Sequence, residues 1–368
     1  MTEPAAAEKT PLEERLIALI KANGPITVAD YMEDALGHPH DGYYSTETAI
    51  GADGDFTTAP EISQIFGELI GAWLVQSYLD MGEPKKFNLI EFGPGRGVMM
   101  ADILRAASLR PQFLNAAEIW LVEKSGRLRH EQRRRLERLA APRWTDDFHE
   151  IPPAPSLVVA NEFFDCLPIR QFDRLAAGWR ERLVGLSPDG TSLAFCTAPT
   201  PPLASLPLPQ EAAPGAVFEF SEAAERLVAD LAAMLIREGG RALIIDYGHF
   251  GGGLGDTLQA VRRHAYWQPL AAAGKADITA HVDFEALSRA AINAGAAVWG
   301  PVAQGVLLDR LGLAARAQRL SAGKSPTQVL EIERAIRRLA APEEMGEVFK
   351  ALAICAPNLP RPAGFDPP

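Results

Sequence analysis

Cysteine is scarce in this chain of 368 residues, and Cys166, Cys196 and Cys355 lie far apart with no C-x-x-C spacing. That pattern indicates neither a disulfide framework nor a zinc site, and it fits a reducing compartment. No uninterrupted apolar run reaches the roughly eighteen residues that a membrane-spanning helix needs. Positive charge is also in deficit: 36 Lys and Arg against 47 Asp and Glu give a net charge of −11. Such a balance argues against general adhesion to nucleic acid or to anionic membrane. The first residues, Met1-Thr-Glu-Pro, carry acid and lack the arginine-rich character of a mitochondrial presequence, so the cytoplasm is the expected compartment. There is no internal repeat. Apolar residues are plentiful, at 47%, enough for one large domain with additions or for two.

The chain is organised around Asn88-Leu-Ile-Glu-Phe-Gly-Pro-Gly-Arg-Gly97. Leu89 to Phe92 reads as a buried strand that runs into a glycine turn, with a helix opening near Val98. A strand, a tight turn and a helix N-terminus bring unhindered backbone N–H groups to the carboxyl edge of a parallel sheet, where nucleotides bind. The dinucleotide fingerprint requires glycine at the sixth position of the turn, and that position is Val98. Instead, Glu91 is followed by Gly93, Gly95 and Gly97. The next strand, Ile119 to Glu123, ends on a carboxylate where such sheets take ribose hydroxyls. This E-x-G-x-G-x-G pattern is similar to the first motif of the class I S-adenosylmethionine (SAM) methyltransferases.

Ahead of the corner, helical spacing is expected over Pro11–Ala22, Val28–Leu36 and Ile62–Leu79. Between the last two lies an irregular segment, Gly37 to Ser63, of the kind that serves as a binding loop or packs as an Ω-loop. Beyond the corner, an arginine-rich helix (Arg127–Leu139) has an apolar stripe and interleaved glutamates, which suit a solvated face. Arg143 to Phe148 is expected to form a short strand ending in polar residues, with Asp147 and Phe148 beside an adenine. Ser156–Ala160 and Ala242–Asp246 read as further buried strands. The segment about 169–215 reads as inserted hairpins, Val298–Leu308 as another strand, and the tail from Ala356 as Pro-rich and frayed. The resulting division is a helical cap over 1–85, a sheet domain over 86–355 and a tail over 356–368. Asp277, His281 and Asp283 have a metal-like spacing but too few ligands, and no metal is assigned.

Methyl transfer from a sulfonium is an in-line displacement that needs alignment and exclusion of water more than acid or base strength. The nucleophile belongs where the fourth strand ends, which brings forward Asn161, Glu162 and Asp165. Two carboxylates three residues apart can converge on a guanidinium, whose planar fork pairs with them bidentately. Asn161 holding an amide or amine is an alternative, though no Pro-Pro follows it. A plainer alternative has Glu162 capping a helix and Asp165 meeting Arg170.

With these residues assembled, the chain resembles the MidA family of methyltransferase-like proteins tied to assembly of respiratory complex I. The matching pieces are Gly54 to Glu68, Glu91 to Gly97, Glu123-Lys-Ser125, Asn161 to Pro168, Asp246-Tyr-Gly-His249, Asp256 to Ala260 and Ala276 to Phe284. The resemblance implies an α/β, Rossmann-like sheet with an N-terminal helical cap and an inserted β-rich segment. It implies SAM as cofactor, held by Glu91, Gly93, Gly95, Gly97 and Glu123. It further implies an arginine of a protein partner, a complex I core subunit, as substrate. Asn161, Glu162 and Asp165 are then the expected catalytic loop, and Asp55, Phe56, Thr58, Pro60, Tyr247 and His281 the expected substrate side. A non-catalytic assembly chaperone on the same fold is the competing reading. Relatives with a presequence would work in the mitochondrial matrix; none is apparent here, which points to a bacterial or a mature protein.

Overall fold

The computed structural model describes residues 9–46 and 57–366. The chain divides into two compact units. One comprises residues 57–165, 225–252 and 282–368, the other 1–56, 166–224 and 253–281.

The first unit carries the sheet. Its elements in order are α1 (Ala59–Ile62), α2 (Gln64–Asp80), β1 (Phe87–Phe92), α3 (Val98–Ala107), α4 (Pro111–Ala116), β2 (Ala117–Val122), α5 (Gly126–Leu136), β3 (Arg143–Thr145), β4 (Ser156–Asn161), α6 (Glu222–Glu238), β5 (Gly240–His249), β6 (Val282–Asp283), α7 (Phe284–Asn293), β7 (Ala297–Ala303), α8 (Gln304–Arg310), α9 (Leu313–Ser321), α10 (Pro326–Ala340) and β8 (Phe349–Cys355). The strands lie in the order β7-β8-β5-β4-β1-β2-β3, with β6 on the end of β5. Strands β3, β2, β1, β4 and β5 are parallel, and β8 enters antiparallel between β5 and β7. Every residue of β1 and β4 is buried, the polar Asn88, Glu91, Ser156 and Asn161 among them, as central strands flanked by helices require. The order reverses between β1 and β4, and their register sets Phe92 beside Ala160. Ligands of doubly wound sheets bind at that crevice.

Two expectations change here. Val298–Leu308 is not one strand: β7 stops at Ala303 and α8 begins at Gln304. A Cβ at Gly305 would come within 2.4 Å of the Ala340 carbonyl oxygen, a close approach to α10 that only glycine permits. The Pro-rich tail is tied down rather than frayed. Trp73 donates its indole N–H to the Ala363 carbonyl at 3.1 Å, and Phe365 is buried. The fully buried Arg241 on β5 donates to the Pro360 carbonyl, to Asp80 at 2.5 Å and to Ser77 at 3.3 Å.

The second unit has helices Pro11–Asn23 and Val28–Gly37, each capped by a threonine, Thr10 or Thr27. It also has an antiparallel sheet of Ile26–Thr27, Gly178–Leu186, Arg170–Leu175 and Val217–Phe220, with Leu193–Thr197 paired to Gly178–Leu186. A small sheet joins Ala265–Trp267, Gln259–Arg262 and Asp277–Thr279. The core of this unit gathers Leu12, Leu16, Tyr31, Met32, Val184 and Ile278. Among the described residues no helix is long and apolar enough to cross a membrane.

Replacing Arg241 by Ala would leave the half-buried Asp80 without its cation and would remove one of the tail's anchors. The expected loss of stability is about 3–5 kcal/mol, read as a lower urea midpoint, whereas Arg241→Met loses less because it leaves a smaller void.

Candidate active site

At the carboxyl end of β1 the chain turns through Gly93, Gly95 and Gly97, whose φ values of 58°, 52° and 75° are all left-handed. At Gly93 the requirement is doubled, because an added Cβ would lie 2.7 Å from Cδ2 of Phe163. Gly97 then serves as N-cap of α3, with no side chain over the helix's first N–H groups.

Two carboxyls flank this turn. Glu91 is buried on β1, with one carboxylate oxygen, Oε2, lacking any hydrogen-bond partner. Burial, with Glu123 nearby, pushes its pKa up to about 8. Glu123, just past β2, accepts the Ser125 N–H at 2.8 Å and an amide N–H of Gln132 at 3.2 Å. Burial raises it to about 7 against the pull of those hydrogen bonds and of Arg129 and Arg127. Buried carboxyls held partly protonated, one with an orphaned oxygen, need hydroxyl donors or a cation. A ligand with ribose hydroxyls, an ammonium and a sulfonium offers both, so the residues fit SAM.

Of the pair expected beside the adenine, Phe148 is buried, with its ring 5.6 Å from that of Phe92. Asp147 is not in a strand: β3 ends at Thr145 and a 3-10 turn follows. Its carboxylate accepts the His149 N–H at 2.9 Å and meets the His149 ring at 2.6 Å. Those contacts lower its pKa. The Asp147 side chain thus closes an Asx-type turn.

Strand β4 delivers the second group. Asn161 is buried and donates from Nδ2 to Glu162 Oε1 at 3.0 Å, while its own Oδ1 has no partner. Glu162 has φ of 49°, a left-handed value unusual for a residue with a side chain and one found at strained functional turns. The same Oε1 accepts the Ala59 N–H at 2.8 Å, so Glu162 caps nothing in its own segment and binds α1 instead. Burial raises Glu162 to about 7, with the Ala59 N–H pulling down and Asp165 pushing up. Asp165 is buried as well. Arg170, its alternative partner, directs its fork to Glu181, at 2.7 Å from both Nε and Nη2.

What holds this loop is a residue to which the sequence reading gave no role. Asp246, fully buried on β5, accepts the N–H groups of Phe163, Phe164 and Asp165 on one oxygen, at 3.1, 2.9 and 3.2 Å. Its other oxygen accepts the Tyr247 N–H at 2.9 Å. Burial, with Asp165 and Glu162 adjacent, raises its pKa well above the ordinary value, and the N–H donors oppose that rise. The available signal was an acid closing an apolar strand, Ala242-Leu-Ile-Ile-Asp246.

The expected substrate side is divided. Thr58 precedes α1 without capping it by its side chain, and Pro60 is buried within α1. The Tyr247 ring packs on Phe349, with centroids 5.4 Å apart. His281 belongs to the other unit, where its N–H donates to Thr257 Oγ1 at 2.8 Å. Asp55 and Phe56 lie outside the described residues. As for a metal, Asp277 accepts the Tyr44 hydroxyl at 3.0 Å and Asp283 caps α7, so both carboxylates have other tasks. Among the described residues no group of three or more possible ligands gathers.

A parallel run of strands with this reversal, a glycine turn at its crevice, an acidic side chain on β1 and another just past β2 define a class I SAM-dependent methyltransferase. The chain belongs to the family described as putative S-adenosyl-L-methionine-dependent methyltransferases, whose model matches residues 69–302, and SAM is its cofactor. It is 37% identical to the Mus musculus mitochondrial protein arginine methyltransferase NDUFAF7, over 96% of this chain and 86% of that protein. Its identity to the Drosophila melanogaster homologue is also 37%, over 93% and 84%. A solved structure of a COG1565 superfamily member and likely methyl transferase from Burkholderia thailandensis, bound to S-adenosylhomocysteine, superposes with a TM-score of 0.80. That protein is 29% identical, over 97% of this chain and 92% of its own. The resemblance to the MidA family is thereby established.

Gly93→Ala is expected to weaken binding of S-adenosylhomocysteine at least about tenfold in calorimetry, with the circular dichroism spectrum retained. Glu91 gives a prediction for the free enzyme. Its folded pKa lies above its unfolded value, so it stabilises the fold at low pH and ceases to as pH rises through about 8. Glu91→Gln should therefore stabilise the cofactor-free protein at pH 8.5, on the order of 1 kcal/mol or more, and do so less at pH 5. Thermal melts at the two values check this.

Proposed function

We propose that the protein transfers a methyl group from SAM to a guanidinium nitrogen of an arginine in a protein partner. The observation that carries this reading is the pair Glu162 and Asp165, held at the crevice end of β4 with Glu162 raised to about 7. A guanidinium would replace the missing positive charge and draw both groups into ionisation. Its fork would set one nitrogen in line with the sulfonium methyl. SAM supplies an electrophilic methyl; the carboxylates orient the nucleophile and take its proton. Glu162, titrating near neutrality, is suited to accept the proton that the alkylated guanidinium must release. Asn161, through its free Oδ1, would accept a further N–H of the substrate.

The printed names of the mouse and fly relatives, both protein arginine methyltransferases, support the substrate class. The MidA resemblance supports a complex I core subunit as the partner. Of the residues expected on the substrate side, Thr58 and Tyr247 of the sheet unit are proposed to contact that partner. Those two relatives are mitochondrial by name, and the cytoplasm expected for this chain is kept as a proposal.

The test uses methyl-labelled SAM, a protein extract as acceptor and acid hydrolysis to identify the labelled residue. Labelled methylarginine is expected. Glu162→Gln should lower kcat about 10²-fold or more while S-adenosylhomocysteine affinity stays within about threefold. The kcat/KM of the wild type should climb as pH passes through about 7, since the free enzyme must shed the Glu162 proton before it holds a cation. An assembly chaperone without turnover would give no label and an unaffected Glu162→Gln protein.

A further inference from the structure

Gln132 lies on the arginine-rich helix α5, on the side away from the charges, and is completely buried. Its Nε2 donates to the Gly95 carbonyl at 2.8 Å and to Glu123 Oε2 at 3.2 Å. Its Oε1 accepts the Trp144 indole N–H at 2.7 Å, which fixes the orientation of the amide. Trp144 is in turn covered by the Arg133 guanidinium, 4.7 Å from the ring centroid. One amide therefore joins the middle of the glycine turn, the carboxylate after β2 and strand β3. It also approaches Gly97, where an added Cβ would meet the Gln132 Cα at 3.4 Å.

We infer that Gln132 is a positioning residue for the cofactor, holding Glu123 in place as an acceptor for the ribose hydroxyls and fixing the glycine turn against it. A leucine or methionine would fill the same volume, but a glutamine supplies both the N–H groups for two acceptors and the oxygen for an indole donor. The remaining groups around Glu123 are Ser125, Arg127 and Arg129 on the α5 side and Glu91 on β1. Arg129 is shared with Asp146 and with the Glu123 carbonyl. Gln132 thus supplies a neutral side-chain N–H to the Glu123 carboxylate. Without it, the carboxyl titrates at still higher pH, because a hydrogen bond that favours the charged form is gone. The basic helix acquires a purpose from its buried side: α5 carries arginines outward and one amide inward.

This inference rests on Glu123 as the ribose acceptor, so Glu123→Gln is measured in parallel. S-adenosylhomocysteine affinity is determined by calorimetry at pH 7 and pH 9 for wild type, Gln132→Met, Trp144→Phe and Glu123→Gln, each verified as folded by circular dichroism. Gln132→Met is expected to bind about tenfold more weakly at pH 7 and to recover most of that loss at pH 9, where Glu123 is ionised regardless. Trp144→Phe leaves the N–H bonds and removes only the orienting donor; it should show the same pH dependence with a smaller loss. An equal loss at both pH values would make Gln132 a packing residue and overturn the inference, as would no loss at all. A normal affinity in Glu123→Gln would instead overturn the role given to Glu123. If Gln132→Met does not fold, the Trp144→Phe profile decides the matter.

Discussion

The site depends on one carboxylate. Asp246 Oδ2 gathers three successive backbone N–H groups, of Phe163, Phe164 and Asp165, at the end of the strand next to β4. Without that acceptor, the N–H groups of Phe163, Phe164 and Asp165 would lose their partner directly after the left-handed turn at Glu162. With it, the chain leaves β4 in a bend that turns Glu162 toward α1 and lays Phe163 over Gly93. The 161–165 loop and the glycine turn are thus packed against each other, and the glycine at 93 is required by the same aromatic ring whose backbone N–H Asp246 accepts.

The electrostatics follow from that packing. Glu91, Glu123, Glu162 and Asp246 are all raised, each chiefly by burial. A fold that assembles so many carboxyls with so little cationic compensation is less stable for it at neutral pH. The arrangement is intelligible in a methyltransferase, where the charges arrive with the ligands: an ammonium and a sulfonium on SAM, a guanidinium on the proposed substrate. Binding then supplies what the fold leaves out, and water is excluded where the methyl moves.

Much of this was legible in the residues. The strand Leu89–Phe92, the three glycines and the carboxylate at 123 follow from apolar runs and from spacing, because a turn of that kind tolerates few alternatives. Asn161, Glu162 and Asp165 came forward because the fourth strand must empty at the crevice. Asp147 falls outside the strand expected over Arg143–Phe148: it closes a local turn with His149, and such short-range hydrogen bonds are not distinguished by residue type alone. Asp246 and Gln132 were illegible as positioning residues because their partners are backbone groups and side chains from distant stretches, brought near only by the strand order. The tail misled for a related reason: proline-rich composition suggests a loose end, whereas Arg241 and Trp73 supply donors for its carbonyls.

In the free protein, buried and partly protonated carboxyls await the cationic cofactor. Calorimetric titration of SAM at pH 7 in buffers of different ionisation enthalpy measures this most directly, by counting protons exchanged on binding. Net release of protons is expected as Glu91 and Glu123 ionise, with less release in Glu123→Gln. Binding with no proton release, the same in the variant, would contradict the account.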